Sequence, residues 1–189
     1  LARRFAQAGS QLDTIQQSVN SELKASVASV NQLADQIAKA NGAIAAARGL
    51  GQPPNDLLDE RDRLISQLSE HVQVSTIAAD DGTVGVFIGG GQRLVLGDTA
   101  ERLEVMRDPF DGSRSSVGIS EGRAATRRMA DSSLGAGRIA GLLRFQNNDL
   151  VDAQNMIGQM SAAIAQAIND QQQLGLNLHE PVGSVPSSE

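Results

Sequence analysis

The feature that most constrains this chain is a long helical repeat of apolar residues at its start. From Leu1 to Ile44, apolar side chains recur about every 3.6 residues, which is the repeat of an α-helix. The positions are Leu1, Phe5, Ala8, Leu12, Ile15, Val19, Leu23, Val27, Val30, Leu33, Ile37, Ala40 and Ile44. At about 1.5 Å per residue, the helix predicted between Ser10 and Ala46 is roughly 55 Å long. We expect a kink or a break at Gly9-Ser10, and a packing partner along the whole rod.

A second, shorter helix is predicted after a linker of glycines and prolines at residues 48–54. Asn55 or Asp56 is suited to be its N-cap, and it is expected to end near Ser69. Its apolar face consists of Leu57, Leu58, Leu64, Ile65 and Leu68. The aliphatic stem of Arg61 is available to cover part of that face.

The apolar period then changes from helical to two, which is typical of strands. A first strand is predicted from His71, and it ends at Asp81-Gly82, a dipeptide preferred in tight type I′ hairpin turns. Val84, Val86 and Ile88 predict the answering strand. The glycines 89–91 predict the next turn, and Leu94 and Leu96 predict the strand after it. Two weaker strands are predicted around residues 102–107 and 114–120.

This order of elements predicts an α+β fold: a long antiparallel helical bundle or rod with a small all-β domain inserted between its helices. The last long helix is predicted from Arg138 to Leu174, and we expect it to pack beside the first helix along most of their lengths. The expected division is residues 1–70 for the first part of the helical domain, 71–132 for the inserted β domain, 133–175 for the returning long helix and 176–189 for a flexible tail. We expect the β domain to be an autonomous module.

The composition excludes several classes of function. The formal charge is −6, from 22 acidic and 16 basic residues, which argues against nucleic-acid binding because that depends on cationic contacts to phosphate. No basic amphipathic face indicates a membrane surface, and no apolar run is long enough to span a bilayer. Cysteine is absent, so neither a disulfide framework nor a thiolate metal site is expected. Aromatic residues make up 2% of the chain, which favours stacked helices over a deep ligand pocket.

Two glycine-rich segments are near misses to nucleotide-binding motifs. Gly135-Ala-Gly-Arg-Ile-Ala-Gly141 has its third glycine one residue too late for the dinucleotide fingerprint, and the preceding Arg127–Asp131 is too polar for a buried strand. Ile88-Gly-Gly-Gly-Gln-Arg93 has neither the lysine of a phosphate-binding loop nor a helix after it. We interpret them as helix-entry glycines and a hairpin turn.

The acidic residues and histidines do not form a catalytic or metal-binding pattern either. Asp80-Asp81-Gly82 lacks the remaining ligands of a calcium loop, and His71 and His179 lie in dissimilar contexts. The acidic residues of Asp56–Asp62 lie at a helix start, where negative charges interact favourably with the positive end of the helix dipole. Since no nucleophile, base and orienting group occur together, we predict no catalytic, cofactor-binding or metal-binding residues, no cofactor and no enzymatic activity.

Five segments carry a family resemblance and occur in the family's order. They are VNQLADQIAKANGAI (30–44), GQPPNDLLDERDRL (51–64), DGTVGVFIGGGQRLVLG (81–97), GRIAGLLRF (137–145) and NDQQQLGLNL (169–178). Together they resemble the flagellar hook-associated proteins of the FlgK family, the second segment being the most specific. The last segment departs from the family, which tends to have His near Gln172 and Asp near Asn177.

The resemblance implies a structural subunit of the bacterial flagellum, exported through the flagellar type III pathway, that forms the junction ring between hook and filament. Its helical domain would line the tube wall and its β domain would face outward. The implied partners are copies of itself in the ring, the hook protein, the next junction protein and a flagellar export chaperone, with no nucleic acid, membrane or small-molecule substrate. The implied location is extracellular, in the flagellum.

The chain opens with Leu1 inside a helical pattern, so we expect it to be a central excerpt lacking both termini of a longer protein. In this family the termini form a further helical layer, and the chaperone is expected to bind there. Two alternatives remain open at this point. One is another axial protein, either flagellin or hook-associated protein 3. The Pro53–Arg63 segment is the feature that distinguishes the FlgK family from these two. The other is an unrelated exported helical binding or stalk module.

Overall fold

The computed structural model describes residues 2–51, 53–120, 122 and 125–174. The elements are α1 (Ala2–Gly49), α2 (Asn55–His71), β1 (Val74–Ala78), β2 (Val84–Ile88), β3 (Gln92–Leu96), β4 (Thr99–Ala100), β5 (Arg102–Arg107), β6 (Ser115–Ser120), β7 (Arg127–Arg128), a 3-10 helix (Asp131–Leu134), α3 (Arg138–Arg144), a π-helical segment (Phe145–Asp149) and α4 (Leu150–Leu174). The predicted α+β fold, with strands between long helices, is confirmed. The predicted tail at residues 176–189 lies outside the described residues.

Helix α1 is one continuous helix of 48 residues, about 70 Å long. The break expected at Gly9-Ser10 does not occur. The Ser10 hydroxyl donates a hydrogen bond to the Ala6 carbonyl within the helix (3.0 Å), so this polar residue is accommodated without ending the helix. The predicted apolar stripe is buried from Val19 onward except at Leu33, which is half-buried like Phe5, Leu12 and Ile15.

Helix α2 begins one residue after Pro54, which occupies the N-cap position. The predicted capping by Asn55 or Asp56 is therefore wrong, because Asn55 is already helical and no side chain caps the helix. The Pro54 carbonyl accepts the first intrahelical bond, from the Leu58 N–H (3.0 Å). The helix ends at His71, two residues beyond the expected end.

The returning helix is not uniform, and it pairs with α1 over part of its length only. A π-helical segment separates α3 from α4. The Arg138 guanidinium lies 3.9 Å from the Glu22 carboxylate, and the Gln16 amide donates to the Gln146 side chain (3.0 Å), so the two chain segments run antiparallel in the N-terminal half of α1. The C-terminal half of α1 packs against α2 and the strands. The expected pairing along most of the two lengths is therefore wrong.

The strands form two antiparallel sheets, one of four strands in the order β1-β2-β3-β4 and one of three strands in the order β5-β6-β7. The β1–β2 turn centres on Asp80-Asp81, since the Gly82 N–H donates to the Ala79 carbonyl (3.0 Å). Asp81 does not have positive φ, so this is not the predicted type I′ turn, which needs positive φ at both central residues. Gly82 takes φ +88° after the turn instead.

The type I′ geometry occurs at the next turn, where the central glycines 89 and 90 have φ of +55° and +77°. The strands that follow contain a bulge: Val86 faces Val95 and Phe87 faces Arg93, which leaves Leu94 as the extra residue of β3. Leu94 and Val95 are both buried as a result, and Leu96 is 50% exposed. Leu94 and Leu96 continue the meander as predicted, but the bulge places them in different surroundings.

Helices and sheets share one hydrophobic core. Its buried members are Leu23, Val27, Val30, Ala34, Ile37, Ala38, Leu64, Leu68, Val72, Val84, Val86, Ile88, Leu94, Val95, Leu103, Val117, Ile119, Met129, Leu134, Ile139, Ala140 and Leu143. A shared core contradicts the expectation that the β part is autonomous, since its strands bury their apolar side chains against the helices. The division into residues 1–70, 71–132 and 133–175 stays a prediction.

Candidate functional site

The glycine-rich segments form turns and a helix start. Gly91 closes the β2–β3 turn by donating its N–H to the Ile88 carbonyl (3.1 Å). Gly137 precedes α3 with φ +101°, and Gly141 lies within that helix. The strand before them, Arg127–Arg128, has two exposed residues. The buried strand that a dinucleotide fingerprint requires does not precede these glycines.

The titratable residues considered from the sequence are dispersed. His71 ends α2 half-buried, and His179 lies outside the described residues. The carboxylates of Asp56, Asp59 and Asp62 are exposed. Glu60 accepts a hydrogen bond from Arg63 (2.9 Å), and this bond lowers the pKa of the Glu60 carboxyl. In the described part of the chain, no three His, Cys, Asp or Glu side chains are grouped so as to hold a metal ion. The predicted absence of site residues stays a prediction.

The structure brings together a different set of polar side chains, which join the helices to the sheets. Asn31 and Asn41 of α1 and Gln146 of the π-helical segment each bind both the N–H and the C=O of one strand residue. We call these three side chains the amide seam. Towards that strand residue, each side-chain amide donates one N–H and accepts one hydrogen bond at its oxygen, so it takes the place of a neighbouring strand's backbone.

Asn41 is the most buried member of the amide seam, with no exposed surface. Its Nδ2 donates to the carbonyls of Val84 and Gly97 (2.9 Å each), and its Oδ1 accepts the Val84 N–H (3.1 Å). The backbone N–H and C=O of Val84 point away from β1, and Val84 lies at the end of β2 that β3 does not reach. Asn41 therefore fills the hydrogen-bonding position where β2 and β3 separate.

Asn31 covers the free edge of the second sheet. Its Nδ2 donates to the Leu103 carbonyl (2.9 Å), and its Oδ1 accepts the Leu103 N–H (2.8 Å). Leu103 belongs to β5, which pairs with β6 on its other side. The neighbouring Arg102 reaches Asp35 of α1 (3.1 Å), a second link at the same edge. Helix α1 thus satisfies backbone groups that an edge strand would otherwise expose to water.

Gln146 holds β6, the central strand of that sheet. Its Oε1 accepts the Ser115 N–H (3.0 Å) and its Nε2 donates to the Ser115 carbonyl (2.9 Å). Gln16 of α1 donates to the same Oε1 (3.0 Å), and Asn20 donates to the Ser113 carbonyl (2.9 Å). Three elements, α1, β6 and the π-helical segment, therefore meet around one buried amide.

Two arginines hold the β1–β2 turn against the helices. The guanidinium of Arg61, a buried residue, donates to the Gly82 carbonyl (2.8 Å), and the Arg48 side chain lies against Gly82. Asp81 binds the Thr83 hydroxyl (2.7 Å) and its N–H (2.9 Å), and these bonds lower the pKa of the Asp81 carboxyl. The sequence predicted only that the aliphatic stem of Arg61 covers part of the apolar face of α2, whereas in the structure its guanidinium also holds the turn.

Near α3, the carboxyl of Asp131 lies in a cleft of about 350 Å³ with Asn147, whose amide donates to it (2.6 Å). Burial raises the pKa of the Asp131 carboxyl, against the opposing effect of Arg128. The side chains of this cleft do not combine a nucleophile with a base and an orienting group.

Sequence reasoning missed the amide seam. A signal was present for α1, because Asn41 falls beside Ala40 on the apolar stripe and is followed by Ile44. A polar amide at a core position predicts a buried hydrogen-bond partner. The same signal was present for Gln146, which lies on the helical repeat three residues after Leu143 and four residues before Leu150.

The comparisons with known proteins agree with this fold. The family model described as the flagellar hook-associated protein FlgK helical domain matches residues 1–185. Flagellar hook-associated protein 1 of Escherichia coli (strain K12) is 35% identical over 167 residues, which cover 87% of this chain and 30% of that protein. The Salmonella typhimurium protein of the same name is 36% identical over 159 residues, covering 83% of this chain and 29% of that protein.

A solved structure, that of the flagellar hook junction protein FlgK from Burkholderia pseudomallei, aligns with a TM-score of 0.86 at 35% identity. The alignment covers 94% of this chain and 32% of that one. The chain therefore spans about a third of the length of the relatives that it matches. With a family match along nearly its whole length and the same fold in a relative of known structure, the chain belongs to the FlgK family of flagellar hook-associated proteins.

Proposed function

We propose that this chain is part of a structural subunit of the bacterial flagellum, placed in the ring that joins hook to filament. The single observation that carries the proposal is the family match over residues 1–185. The name of the Burkholderia relative, a hook junction protein, supports it. The contacts of this chain agree with a structural role, because its buried polar groups are used to hold α1 to the sheets. We infer that it acts without catalysis or a cofactor.

The proposed partners are other copies of the chain in the ring, the hook protein on one side, the next junction protein on the other and an export chaperone before assembly. The proposed location is the extracellular flagellum. None of the described helices is both long enough and apolar enough to cross a bilayer.

A chimera tests the proposal. The matching segment of the Escherichia coli protein is replaced by this chain and expressed in a strain that lacks hook-associated protein 1. We expect the chimera to be exported and filaments to grow on the hooks, measured by electron microscopy and swimming. A matched control carries Asn41→Ala in the same chimera. Hooks without filaments, in cells that export a stable chimera, would overturn the proposal.

Self-association provides a second measurement. Ring contacts are heterologous, so one face of a subunit meets a different face of the next. A modest apolar patch, at about 25 cal/mol per Å², does not offset the several kcal/mol lost on association, and the charge of −6 adds repulsion. The isolated chain is expected to sediment as a monomer at micromolar concentration. A stable oligomer would show that its helices and sheets are sufficient for the ring contacts.

A further inference from the structure

Strand β1 lies at the edge of the four-stranded sheet, and this edge is open. Among the described residues, β1 pairs with β2 alone. Residues 75–79 are all exposed, and the Ile77 side chain is 63% exposed. Exposure of consecutive residues on both faces means that no helix or loop of the described chain covers this part of the strand.

The direction of the free backbone groups follows from the turn that ends the strand. The Ala79 N–H donates across the hairpin to the Thr83 carbonyl (2.9 Å), so Ala79 faces β2. Backbone groups alternate in direction along a strand, so Ile77 and Ser75 also face β2. Thr76 and Ala78 therefore direct their N–H and C=O groups outward, which provides two donors and two acceptors in the spacing that an added strand requires.

The other sheet edges are protected. Helix α1 lies along β5 and binds Leu103 through Asn31. Strands β4 and β7 have only two residues each. Proteins usually protect a longer edge with charged residues, proline or a bulge. Residues 73–79 (QVSTIAA) contain no charge and no proline, and the β1–β2 ladder is regular.

The charges around β1 indicate which kind of strand it would accept. Glu70 precedes the strand and is exposed, and Asp80 and Asp81 follow it and are exposed. Arg48, near Asp81, offsets part of this negative charge. In antiparallel self-pairing of two copies, Glu70 of each copy would approach the Asp80-Asp81 turn of the other, which like charges disfavour. An incoming segment with basic residues at both ends is complementary.

We propose that the free edge of β1 is a strand-addition site for an extended segment of a partner protein, with an uncharged, β-branched centre and basic residues at its two ends. Backbone hydrogen bonds to Thr76 and Ala78 provide the binding, and the acidic residues at the two ends of β1 select the partner. The inference does not depend on the ring contacts proposed above.

The test uses a fluorescent synthetic peptide, Lys-Val-Thr-Ile-Thr-Val-Lys, and the whole chain. We expect saturable binding by anisotropy, and slower hydrogen exchange at the Thr76 and Ala78 amides when the peptide is present. Thr76→Pro removes an outward N–H without removing a ladder bond, because proline is tolerated on sheet edges. It is expected to weaken binding at least about fivefold, the effect of losing one hydrogen bond, while Thr76→Val leaves affinity unchanged.

Four results would overturn the inference. The first is the absence of amide protection at Thr76 and Ala78 at millimolar peptide. The second is equal binding by Thr76→Pro and the unchanged chain, which would place the peptide elsewhere. The third is equal binding of a peptide with glutamates in place of both lysines, which removes the charge argument. The fourth is protection of these amides that rises with protein concentration without peptide, which would make a second copy the occupant.

Discussion

Replacing Asn41 with alanine is expected to be among the most destabilising single changes in this chain. The substitution removes three hydrogen bonds, two from Nδ2 and one to Oδ1, all at 2.9–3.1 Å. The Val84 N–H and the carbonyls of Val84 and Gly97 then lose their partner inside the protein. Asn41 is fully buried, so water does not replace these bonds without opening the contact between α1 and the sheet.

The magnitude follows from the cost of unsatisfied groups. Each buried donor or acceptor that loses its partner costs about 1–3 kcal/mol, and partial relaxation reduces the sum for three groups to about 3–5 kcal/mol. At roughly 2–4 °C per kcal/mol for a chain of this size, the melting temperature is expected to fall by roughly 6–20 °C. Urea unfolding followed by helical circular dichroism gives the free energy directly.

A matched control lies on the same helix. Gln32 is exposed, and Gln32→Ala is expected to change stability by less than about 0.5 kcal/mol. Asn41→Asp adds a second comparison, since it keeps the shape and one acceptor but directs a carboxylate at two carbonyls, and it is expected to be at least as destabilising at neutral pH. If Asn41→Ala costs no more than Gln32→Ala, the hydrogen bonds of Asn41 do not stabilise the fold.

Three further predictions concern single positions. Gly137→Ala is expected to lower the free energy of unfolding in urea by more than about 2 kcal/mol, because Gly137 has φ +101° and a Cβ there would lie 2.7 Å from the backbone of the last residue of α2. Gly141 has open space around it, so the control Gly141→Ala is expected to be neutral or slightly stabilising. Asp131→Asn is expected to stabilise the chain at neutral pH, because burial raises the pKa of the Asp131 carboxyl and folding disfavours its charged form. This gain disappears below pH 3.8, the ordinary value, where the carboxyl is protonated in both states, and urea titrations at the two pH values check it. Arg61→Met keeps the buried stem and removes the bond to the β1–β2 turn, so amide hydrogens of that turn are expected to exchange several-fold faster, and unchanged exchange would contradict the role given to the guanidinium.

The helices and most strands followed from the sequence because apolar burial alone sets their periods. The stripe from Val19 to Ile44 is buried as its spacing predicts, apart from the half-buried Leu33, and β2 and β5 lie at the predicted strand positions. The turn type was wrong because Asp-Gly fits two geometries. Here Gly82 lies after the two central residues of the turn, and in that position its carbonyl accepts a hydrogen bond from Arg61. That contact comes from α2, 21 residues away in sequence, which local turn preferences do not include.

The amide seam depends on contacts that local patterns do not carry. Asn41 and Val84 are 43 residues apart, and Asn31 and Leu103 are 72 residues apart. The sequence shows that a polar amide occupies an apolar stripe, but not which strand residue it meets. The bulge at Leu94 is a similar case, since it is defined by the register between β2 and β3.

The arrangement of the amide seam has a consequence for how forces pass through the molecule. Apolar contacts tolerate small sliding because they have no direction, whereas hydrogen bonds weaken steeply with misalignment. Asn31 and Asn41 lie on one helix and bind one residue in each of the two sheets. A shift of α1 by one residue, about 1.5 Å along its axis and a rotation of about 100°, would break both sets of bonds together. The two sheets are therefore fixed to α1 in one register, and a displacement of this helix would carry both sheets with it.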